Sequence, residues 1–419
     1  MKELDNIDII YVTNDPERAL GIEDIISNYH ILCIDDSYIL NFIKSYYSLK
    51  KDNPNIEIFR NSNKLLQESK SKEFIGQFKN PYFMFFKIAP NIEFTLNHKN
   101  ILNTDSWLNR KYENKLEIVR IFKDLIPETK IINLEKDSYE SLKNTLGNKF
   151  VIQFQGGQSG NTTFFIKNVD DYYKLKTRYA KRYAKAVRFI DGEYYTLNGV
   201  VTKYGILTGN LTKQITGVSY LTKYEGGTVG NDWNTKLHQK KKELLQNAMI
   251  QIGNILKKDN YKGMFGADFI VDDERVYLIE INARENATMP TFSKIQQEKG
   301  EMPFKLIHIL EFLNKEYSID VDKINKLLFD DYHLNQLIIR NTKDDVIEMK
   351  SNFNGVYNRN FEKINDGYDI TSINGNNLLL LQNKGLINPN IEIGRIQSRE
   401  KIDESTIKEY ISKIGLNVK

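Results

Sequence analysis

The sequence contains a single cysteine, Cys33, among 419 residues. One thiol can form neither an intramolecular disulfide framework nor a cysteine-based zinc site. Because Cys33 lies inside the apolar run HILCID, we expect it to be a buried thiol in a β-strand.

Long apolar segments are also missing. No window approaches the ~18 uncharged apolar residues that a membrane-spanning helix needs. The first ten residues, MKELDNIDII, hold too short an apolar run for a signal peptide and no cleavage-site pattern. We therefore expect no membrane partner and a cytoplasmic location.

Charge of one sign is not in excess. The chain carries 59 Lys and Arg against 55 Asp and Glu, a formal net charge of +4, and the two signs are mixed along it. This balance gives no sign of a nucleic-acid partner. The hydrophobic fraction of 40% is sufficient for folded cores, and the length predicts about two to four structural units.

The first hundred residues lack the Gly-x-Gly-x-x-Gly turn of a dinucleotide site. Strands are predicted at residues 7–14 and 29–36, and helices at residues 17–29 and 38–51. This alternation predicts a small α/β domain with a parallel sheet.

The most informative stretch, residues 261–288, reads YKGMFGADFIVDDERVYLIEINARENAT. Two apolar runs flank the polar turn DDER, so the stretch predicts a β-hairpin. Glu280, Asn282 and Arg284 alternate along the second strand and therefore point to one face. Asp268 faces Glu280 if the connection has five residues, or if a four-residue connection is combined with a bulge.

Two facing carboxylates repel each other by roughly 0.2–1 kcal/mol. A cation between them would remove that cost, and carboxylate and amide oxygens are ligands suited to Mg²⁺. The alternative is a surface hairpin whose acids are solvated or paired with Lys or Arg. The combination of two acids with Asn282 and Arg284 on otherwise apolar strands favours the cation site.

A second candidate feature is the loop QGGQSGN, residues 155–161, between the predicted strands KFVIQF and TTFFIK. Its glycines let backbone N–H groups approach a phosphate with no Cβ in the way. The loop lacks Gly-Lys-Ser/Thr, so it is not a Walker A loop. A flexible hairpin turn is the alternative.

Apolar residues recur with a helical period at residues 114–125, 237–257 and 304–317. His308, on the apolar side of the third segment, is expected to be a core histidine. From about residue 320, short strands with Asn and Gly turns predominate, and the tail STIKEYISKIGL is helical. This pattern predicts a small C-terminal α+β unit.

The runs GADFIV and YLIEINAR resemble the metal-binding strands of the ATP-grasp superfamily, in which an acid on one strand precedes Glu-x-Asn-x-Arg on the next. The resemblance implies that Asp268, Glu280 and Asn282 hold Mg²⁺. It also implies that Arg284 faces the reacting phosphoryl or carboxylate group, so that Arg284, Glu280 and Asn282 form the catalytic group.

The same resemblance implies an ATP site. The Gly-rich loop would cover the triphosphate, the backbone of residues 188–190 would meet the adenine edge, and either Lys115 or Lys111 would contact the phosphates. Glu193 would bind the ribose or make an inner-shell contact. The implied cofactor-binding residues are Lys115, Gln153, Gly156, Gly157, Ser159, Gly160, Arg188, Phe189, Ile190 and Glu193.

Two positions depart from the family pattern. Gln153 stands where the family usually has a lysine, so part of the usual phosphate neutralisation is missing, and Val187 stands where the family has a glutamate. These departures keep open a catalytically weak, regulatory nucleotide-binding module as an alternative to an enzyme. The missing lysine also argues against a biotin carboxylase role.

The resemblance implies an α/β chain with the ATP-grasp fold in three parts. An N-terminal α/β domain would cover residues 1–110, the ATP-grasp domain residues 111–320, and a small C-terminal α+β cap residues 321–419. The ATP-grasp domain would divide into subdomains at residues 111–185 and 186–320.

The implied activity is an ADP-forming ligase that uses ATP and Mg²⁺ to convert a small carboxylate substrate to an acyl phosphate. An amine acceptor would then form an amide. The chain resembles the natural-product branch of peptide and amide ligases, such as the butirosin-type glutamate–carrier ligase and the pheganomycin-type peptide ligase. A carrier-protein thiol is the alternative acceptor, and a homodimer is compatible with the resemblance.

Overall fold

The alternating N-terminal segments form a parallel sheet in the computed structural model, which describes residues 4–53, 62–92, 95–156, 160, 162–330 and 332–416. Cys33 is fully buried in this sheet, as predicted. The strands are β1 (Ile9–Thr13), β2 (Tyr29–Cys33), β3 (Tyr46–Ser48) and β4 (Tyr82–Phe85), in the order β3-β2-β1-β4. The helices are α1 (Leu49–Asp52), α2 (Ser62–Gln67) and α3 (Ser69–Ile75).

The two helices predicted at residues 17–29 and 38–51 are wrong. The first segment forms a single 3₁₀ turn at Pro16–Ala19 before Gly21, whose φ of +106° does not continue a right-handed helix. The second segment contains strand β3, because its tyrosines pair with β2. Tertiary pairing of this kind outweighs a weak local helical pattern.

A four-stranded antiparallel sheet follows, and the sequence between it and the first sheet is less helical than predicted. Asn114 accepts a hydrogen bond from the Leu116 N–H at 2.9 Å and adopts an extended conformation, so it ends the preceding helix, and of the helix predicted at residues 114–125 only Glu117–Ile121 is helical. The elements are α4 (Ser106–Glu113), α5 (Glu117–Ile121), β5 (Thr129–Asn133), α6 (Tyr139–Leu146), β6 (Phe150–Phe154), β7 (Thr163–Ile166), α7 (Val169–Tyr179) and β8 (Tyr183–Arg188), with strand order β5-β8-β6-β7.

The largest sheet has ten antiparallel strands. Its first five are β9 (Glu193–Val201), β10 (Ile206–Thr216), β11 (Thr228–Asp232), β12 (Gly263–Val271) and β13 (Val276–Asn282). The later strands of the chain are β14 (Asn335–Arg340), β15 (Ile347–Met349), β16 (Gly355–Tyr357), β17 (Lys363–Asn365), β18 (Leu378–Gln382), β19 (Gly385–Ile387) and β20 (Glu392–Ser398).

The strand order in this sheet is β13-β12-β9-β10-β11-β14-β20-β18-β16-β17, and β15 pairs separately with β19. Because β11 pairs with β14, the C-terminal strands extend the sheet that carries the hairpin. The remaining helices are α8 (Gln239–Lys258), α9 (Met289–Glu298), α10 (Phe304–Phe312), α11 (Val321–Lys326) and α12 (Glu404–Lys413). Among the helices in the described part of the chain, none has the length and apolar character to cross a bilayer.

Helices α9 and α10 join the first sheet to the largest one. Phe292 and Ile307 of these helices belong to one buried cluster with Tyr11 and Met84 of the first sheet and Met264 of β12. Burial of this shared core fixes the N-terminal domain against the hairpin.

His308 of α10 is buried in this region, as predicted. Its Nδ1 accepts a hydrogen bond from the Met264 N–H at 3.0 Å, and its Nε2 donates to the Leu102 carbonyl oxygen at 2.7 Å. Burial lowers the pKa of His308 to about 4, because the charged imidazolium would be cut off from water. The neutral ring is therefore the form that the fold stabilises.

The pH dependence of stability should reflect this histidine. Between about pH 6.5 and pH 4, His308 is protonated in the unfolded chain and neutral in the folded chain. His308 therefore contributes stability above pH 6.5 that is lost as the pH falls towards 4, by up to about 3 kcal/mol. Urea unfolding of the parent and of His308→Gln across this range should show a flatter profile for the variant.

The control is His333→Gln, at an exposed histidine, which should keep the parent profile. If the His308→Gln and parent profiles run parallel from pH 6.5 to 4, the neutral-histidine interpretation is wrong.

Candidate active site

The predicted hairpin is formed by β12 and β13, and its register places the two acids opposite each other. The connection has four residues, Asp272 to Arg275, because Val271 pairs with Val276. A register shift after Asp268 restores its pairing with Glu280. Of the two predicted registers, the bulged one with the four-residue turn is therefore the one observed.

A row of polar side chains crosses four adjacent strands at this register. The Asp268 Oδ1 accepts hydrogen bonds from the Thr196 hydroxyl at 2.6 Å and from the Gln214 side-chain amide at 2.9 Å. Withdrawal from water and the charge of Glu280 raise the pKa of Asp268 to about 7. The two carboxylates thus share a site in which only one ionises readily.

Lys115 reaches the acids from the other side of the cleft. Its ammonium group lies 3.2 Å from the Glu280 carboxylate, and its backbone N–H bonds to the Gln155 carbonyl oxygen at 3.4 Å. Lys111, the alternative lysine of the sequence analysis, instead pairs with Asp259. Of the two lysines, it is therefore Lys115 that lies between the predicted metal ligands and the Gly-rich loop.

Lys185, on β8, belongs to the same group of charges and was missed in the sequence. It is 4% exposed and donates a hydrogen bond to the Ile279 carbonyl oxygen at 3.1 Å. Burial and the nearby Lys115 charge lower the pKa of Lys185 to about 7. Burial also disfavours the ionised form of Glu280. The charges of Lys115 and Lys185 nevertheless keep the pKa of Glu280 below its usual value. A lysine inside the small apolar run AKAV was the available signal.

The described part of the Gly-rich loop lies at the same cleft. Gln153 is 7% exposed, and its side-chain amide donates to the Thr163 hydroxyl at 3.0 Å. Gly156 is exposed, whereas Gly160, with φ of +80°, packs so tightly that a Cβ would lie 2.9 Å from the Gly226 backbone. Gly157 and Ser159 lie outside the described residues.

The segment after β8 connects the two antiparallel sheets. The backbone N–H groups of Arg188 and Phe189 bond to the carbonyl oxygens of Glu128 and Lys149 at 2.9 and 3.4 Å. Phe189 and the next residue, Ile190, are both partly exposed. Contacts of Arg188, Phe189 and Ile190 with an adenine remain a prediction.

Glu193, at the start of β9, is exposed and already has partners of its own. Its carboxylate accepts a hydrogen bond from the Tyr195 hydroxyl at 2.6 Å and pairs with Lys213, whose contact lowers the pKa of Glu193. A contact between Glu193 and a ribose remains a prediction.

Arg284 points towards the N-terminal domain. Its guanidinium group pairs with Glu113 at 2.9 Å, donates to the Asn282 Oδ1 at 3.0 Å, and lies 4.7 Å from the centre of the Phe86 ring. Arg18 lies 5.1 Å from the centre of the same ring. Two guanidinium groups therefore share one aromatic side chain at the junction of the domains.

A pocket lies next to this junction, where three parts of the chain meet. Glu17 and Arg18 come from the N-terminal domain, Lys294 from α9 and Arg395 from β20. Arg395 pairs with Glu17, and burial raises the pKa of Glu17 to about 8. Charged groups of both signs line this pocket, and its volume of about 30 Å³ is that of about one water molecule.

The donor set of the hairpin fits a divalent cation. Asp268, Glu280 and Asn282 present oxygens from adjacent strands, and all three are partly exposed to the cleft. Burial and then the charge of Glu280 raise the pKa of Asp268, and a cation between the two carboxylates would favour its ionised form. Hard oxygen ligands of this kind favour Mg²⁺ over softer metals.

Comparison with known proteins identifies the fold. Residues 112–288 match the ATP-grasp domain family. The N5-carboxyaminoimidazole synthetase of Staphylococcus aureus in complex with ADP has a TM-score of 0.58 at 12% identity, with 97% of each chain covered. Phosphoribosylamine–glycine ligase of Thermotoga maritima has a TM-score of 0.60 at 9% identity, covering 97% of this chain and 96% of that one.

A third similar structure is the biotin carboxylase domain of Hydrogenobacter thermophilus 2-oxoglutarate carboxylase, with MgADP, ADP and bicarbonate. Its TM-score is 0.62 at 12% identity, and the match covers 97% of this chain and 89% of that one. No curated protein matches the sequence. Residues 112–288 are thus similar to ATP-grasp domains, and the chain has the mixed α/β ATP-grasp fold that the hairpin motif implied.

The donor set predicts the effect of Glu280→Gln on cation binding. The change keeps the side-chain shape and removes one ligand charge, so the Mg²⁺ concentration needed for half-maximal ADP binding should rise about tenfold or more. Isothermal titration of ADP at several Mg²⁺ concentrations measures this. The matched control is Glu274→Gln in the exposed turn of the same hairpin, which should behave like the parent.

An unchanged Mg²⁺ requirement in folded Glu280→Gln would contradict the cation site.

Proposed function

We propose that this protein is an ADP-forming ligase that uses ATP and Mg²⁺ to activate a small carboxylate as an acyl phosphate and transfers the acyl group to an amine. The observation that carries the proposal is the facing pair Asp268 and Glu280, with Lys115 at 3.2 Å from Glu280 across the cleft. Acids on one side and a buried lysine on the other are what a metal-bound phosphate chain needs.

Asp268, Glu280 and Asn282 would hold Mg²⁺. Bound there, Mg²⁺ would neutralise phosphate charge and fix the reacting phosphoryl group in position. The Asn282 oxygen also accepts a hydrogen bond from Arg284, and because an amide oxygen has two lone pairs, this contact could orient Asn282 as a ligand. Arg284 would stabilise the charge that develops on the transferring phosphoryl group.

In the first proposed step, a carboxylate oxygen of the substrate attacks the γ-phosphorus, and the bond to ADP breaks. In the second step, the amine nitrogen attacks the acyl carbon and phosphate leaves. The hairpin has no Ser, His or Cys that would attack in place of the carboxylate. Positioning and charge stabilisation are therefore the work of the protein.

The junction of the domains supports a small substrate. Arg18 and Arg284 flank Phe86 there, and guanidinium groups are the preferred partners of carboxylates. Closure of the cleft would protect the acyl phosphate from water.

The similar structures support the nucleotide and the metal. One contains ADP and another MgADP with bicarbonate, and both have the fold of this chain. They bear on the fold and not on the natural-product branch, which stays a prediction from the sequence. The same holds for a homodimer and for a carrier-protein thiol as acceptor.

A second candidate function is a regulatory module that binds nucleotide without turnover. The uncharged Gln153 and the apolar Val187 favour it, because both positions lack the charges usual in the family. ADP formation separates the two functions, since a ligase makes ADP when carboxylate and acceptor are both present and a regulatory module makes none.

Hydroxylamine trapping tests the proposed reaction. With ATP, Mg²⁺ and a panel of small carboxylates including amino acids, the correct carboxylate should give a hydroxamate together with ADP and phosphate, because hydroxylamine intercepts an acyl phosphate. Coloured iron–hydroxamate complexes and nucleotide chromatography provide the readouts. Arg284→Lys should lower the rate about a hundredfold, because it loses the planar fork.

Three results would contradict the ligase. AMP with pyrophosphate would show adenylation, and ADP with phosphate on a hydroxyl group would show a kinase. No ADP with any carboxylate and acceptor, in a protein that binds MgATP, would leave the regulatory module.

A further inference from the structure

Two lysines, Lys115 and Lys185, lie near the Glu280 carboxylate. Lys115 pairs with Glu280 at 3.2 Å, and the Lys185 ammonium group lies 3.1 Å from the carbonyl oxygen of Ile279, the residue before Glu280. Among described residues, that carbonyl oxygen is the hydrogen-bond partner of Lys185. A carbonyl oxygen is a weaker partner for a buried ammonium group than an anion is, so an anionic ligand would bind favourably there.

A cation bound by the two acids would add positive charge beside both lysines. If Asp268 and Glu280 hold Mg²⁺, the charge of Glu280 is shared with the metal, and both lysines then face a divalent cation. Burial leaves Lys185 at 4% exposure, so water cannot screen that repulsion. The group in the proposed reaction that carries enough negative charge to balance the site is the phosphate chain of ATP.

Strand pairing places Lys185 on the same face of the sheet as Gln153. Gln153 of β6 and Lys185 of β8 are direct partners across the antiparallel pair, so their side chains share one face. The Gly-rich loop begins two residues after Gln153. Gln153 brings no charge, and its amide is bonded to Thr163.

We propose that Lys185 binds the phosphate chain of the nucleotide and supplies there the positive charge that Gln153 does not. Its ammonium group donates a hydrogen bond to the Ile279 carbonyl oxygen, one residue before Glu280. This inference rests on the proposed function, because it takes ATP as the ligand of the cleft.

Lys185→Gln tests the inference through binding alone. The variant should bind MgADP about ten- to a hundredfold more weakly than the parent, because it loses a charge-assisted hydrogen bond to phosphate. Its affinity for adenosine, which has no phosphate, should stay within about twofold. Calorimetry measures MgADP binding, and ligand-observed NMR titration measures the weak binding of adenosine.

Because Gln153 and Lys185 are strand partners, exchanging the two residues tests the inference more specifically. In the exchange Gln153→Lys with Lys185→Gln, composition is unchanged and the charge moves to the partner position on the same face. This double variant should recover most of the lost MgADP affinity. The matched control is Lys130→Gln on β5, which pairs across from Ala186 and therefore projects to the opposite face; it should bind like the parent.

Circular dichroism and thermal unfolding check the fold of each variant. If Lys185→Gln does not fold, Lys185→Met takes its place, because it keeps the long side-chain stem without the charge.

The outcomes distinguish a failure of the proposed function from a failure of the proposed role of Lys185. A parent that does not bind MgADP contradicts the proposed function. A parent that binds MgADP while Lys185→Gln binds it equally well contradicts only the role of Lys185. Equal losses for adenosine and MgADP would also overturn that role, since they would identify Lys185 as a structural link between the sheets. Failure of the exchange to restore binding would overturn the shared position with Gln153.

Discussion

Charge neutrality in the cleft between two sheets is the constraint on which the site depends. Asp268 and Glu280 come from the ten-stranded sheet, whereas Lys185 belongs to the four-stranded one and Lys115 to the segment between α4 and α5. Each acid or lysine alone would be costly at this depth, because water cannot solvate it fully. Together they link the two sheets. Any ligand that enters must bring charges that replace these contacts.

A second buried ion pair positions the residue that would act on the phosphoryl group. Glu285, directly after Arg284, lies 3.4 Å from Lys305 and accepts a hydrogen bond from Tyr11. Lys305 also donates to the carbonyl oxygens of Arg18 and Leu20 at 2.6 and 2.8 Å. The turn after the hairpin is thus tied to the middle of β1 and to the 3₁₀ turn that follows β1, so the N-terminal domain takes part in orienting Arg284.

The sequence predicted what local periodicity controls and missed what distant pairing controls. The hairpin and its facing acids follow from alternation and turn length over some 20 residues, so they could be predicted, but the sequence did not decide between the five-residue connection and the bulged four-residue one. Lys185 could not be assigned, because its place depends on β8 pairing with Gln153, 32 positions earlier. The helices predicted near Gly21 and Tyr46 failed because backbone conformation and strand pairing overrode the local apolar pattern.

The contacts of Arg284 indicate how binding and catalysis would be linked. In this structure its guanidinium group is bonded to Glu113 and to the oxygen of Asn282, which is also a proposed metal ligand. An amide oxygen has two lone pairs, so the Asn282 oxygen could accept this hydrogen bond and also hold Mg²⁺. The hydrogen bond from Arg284 would then orient Asn282 as a ligand, while Glu113 keeps the guanidinium group at the junction of the domains.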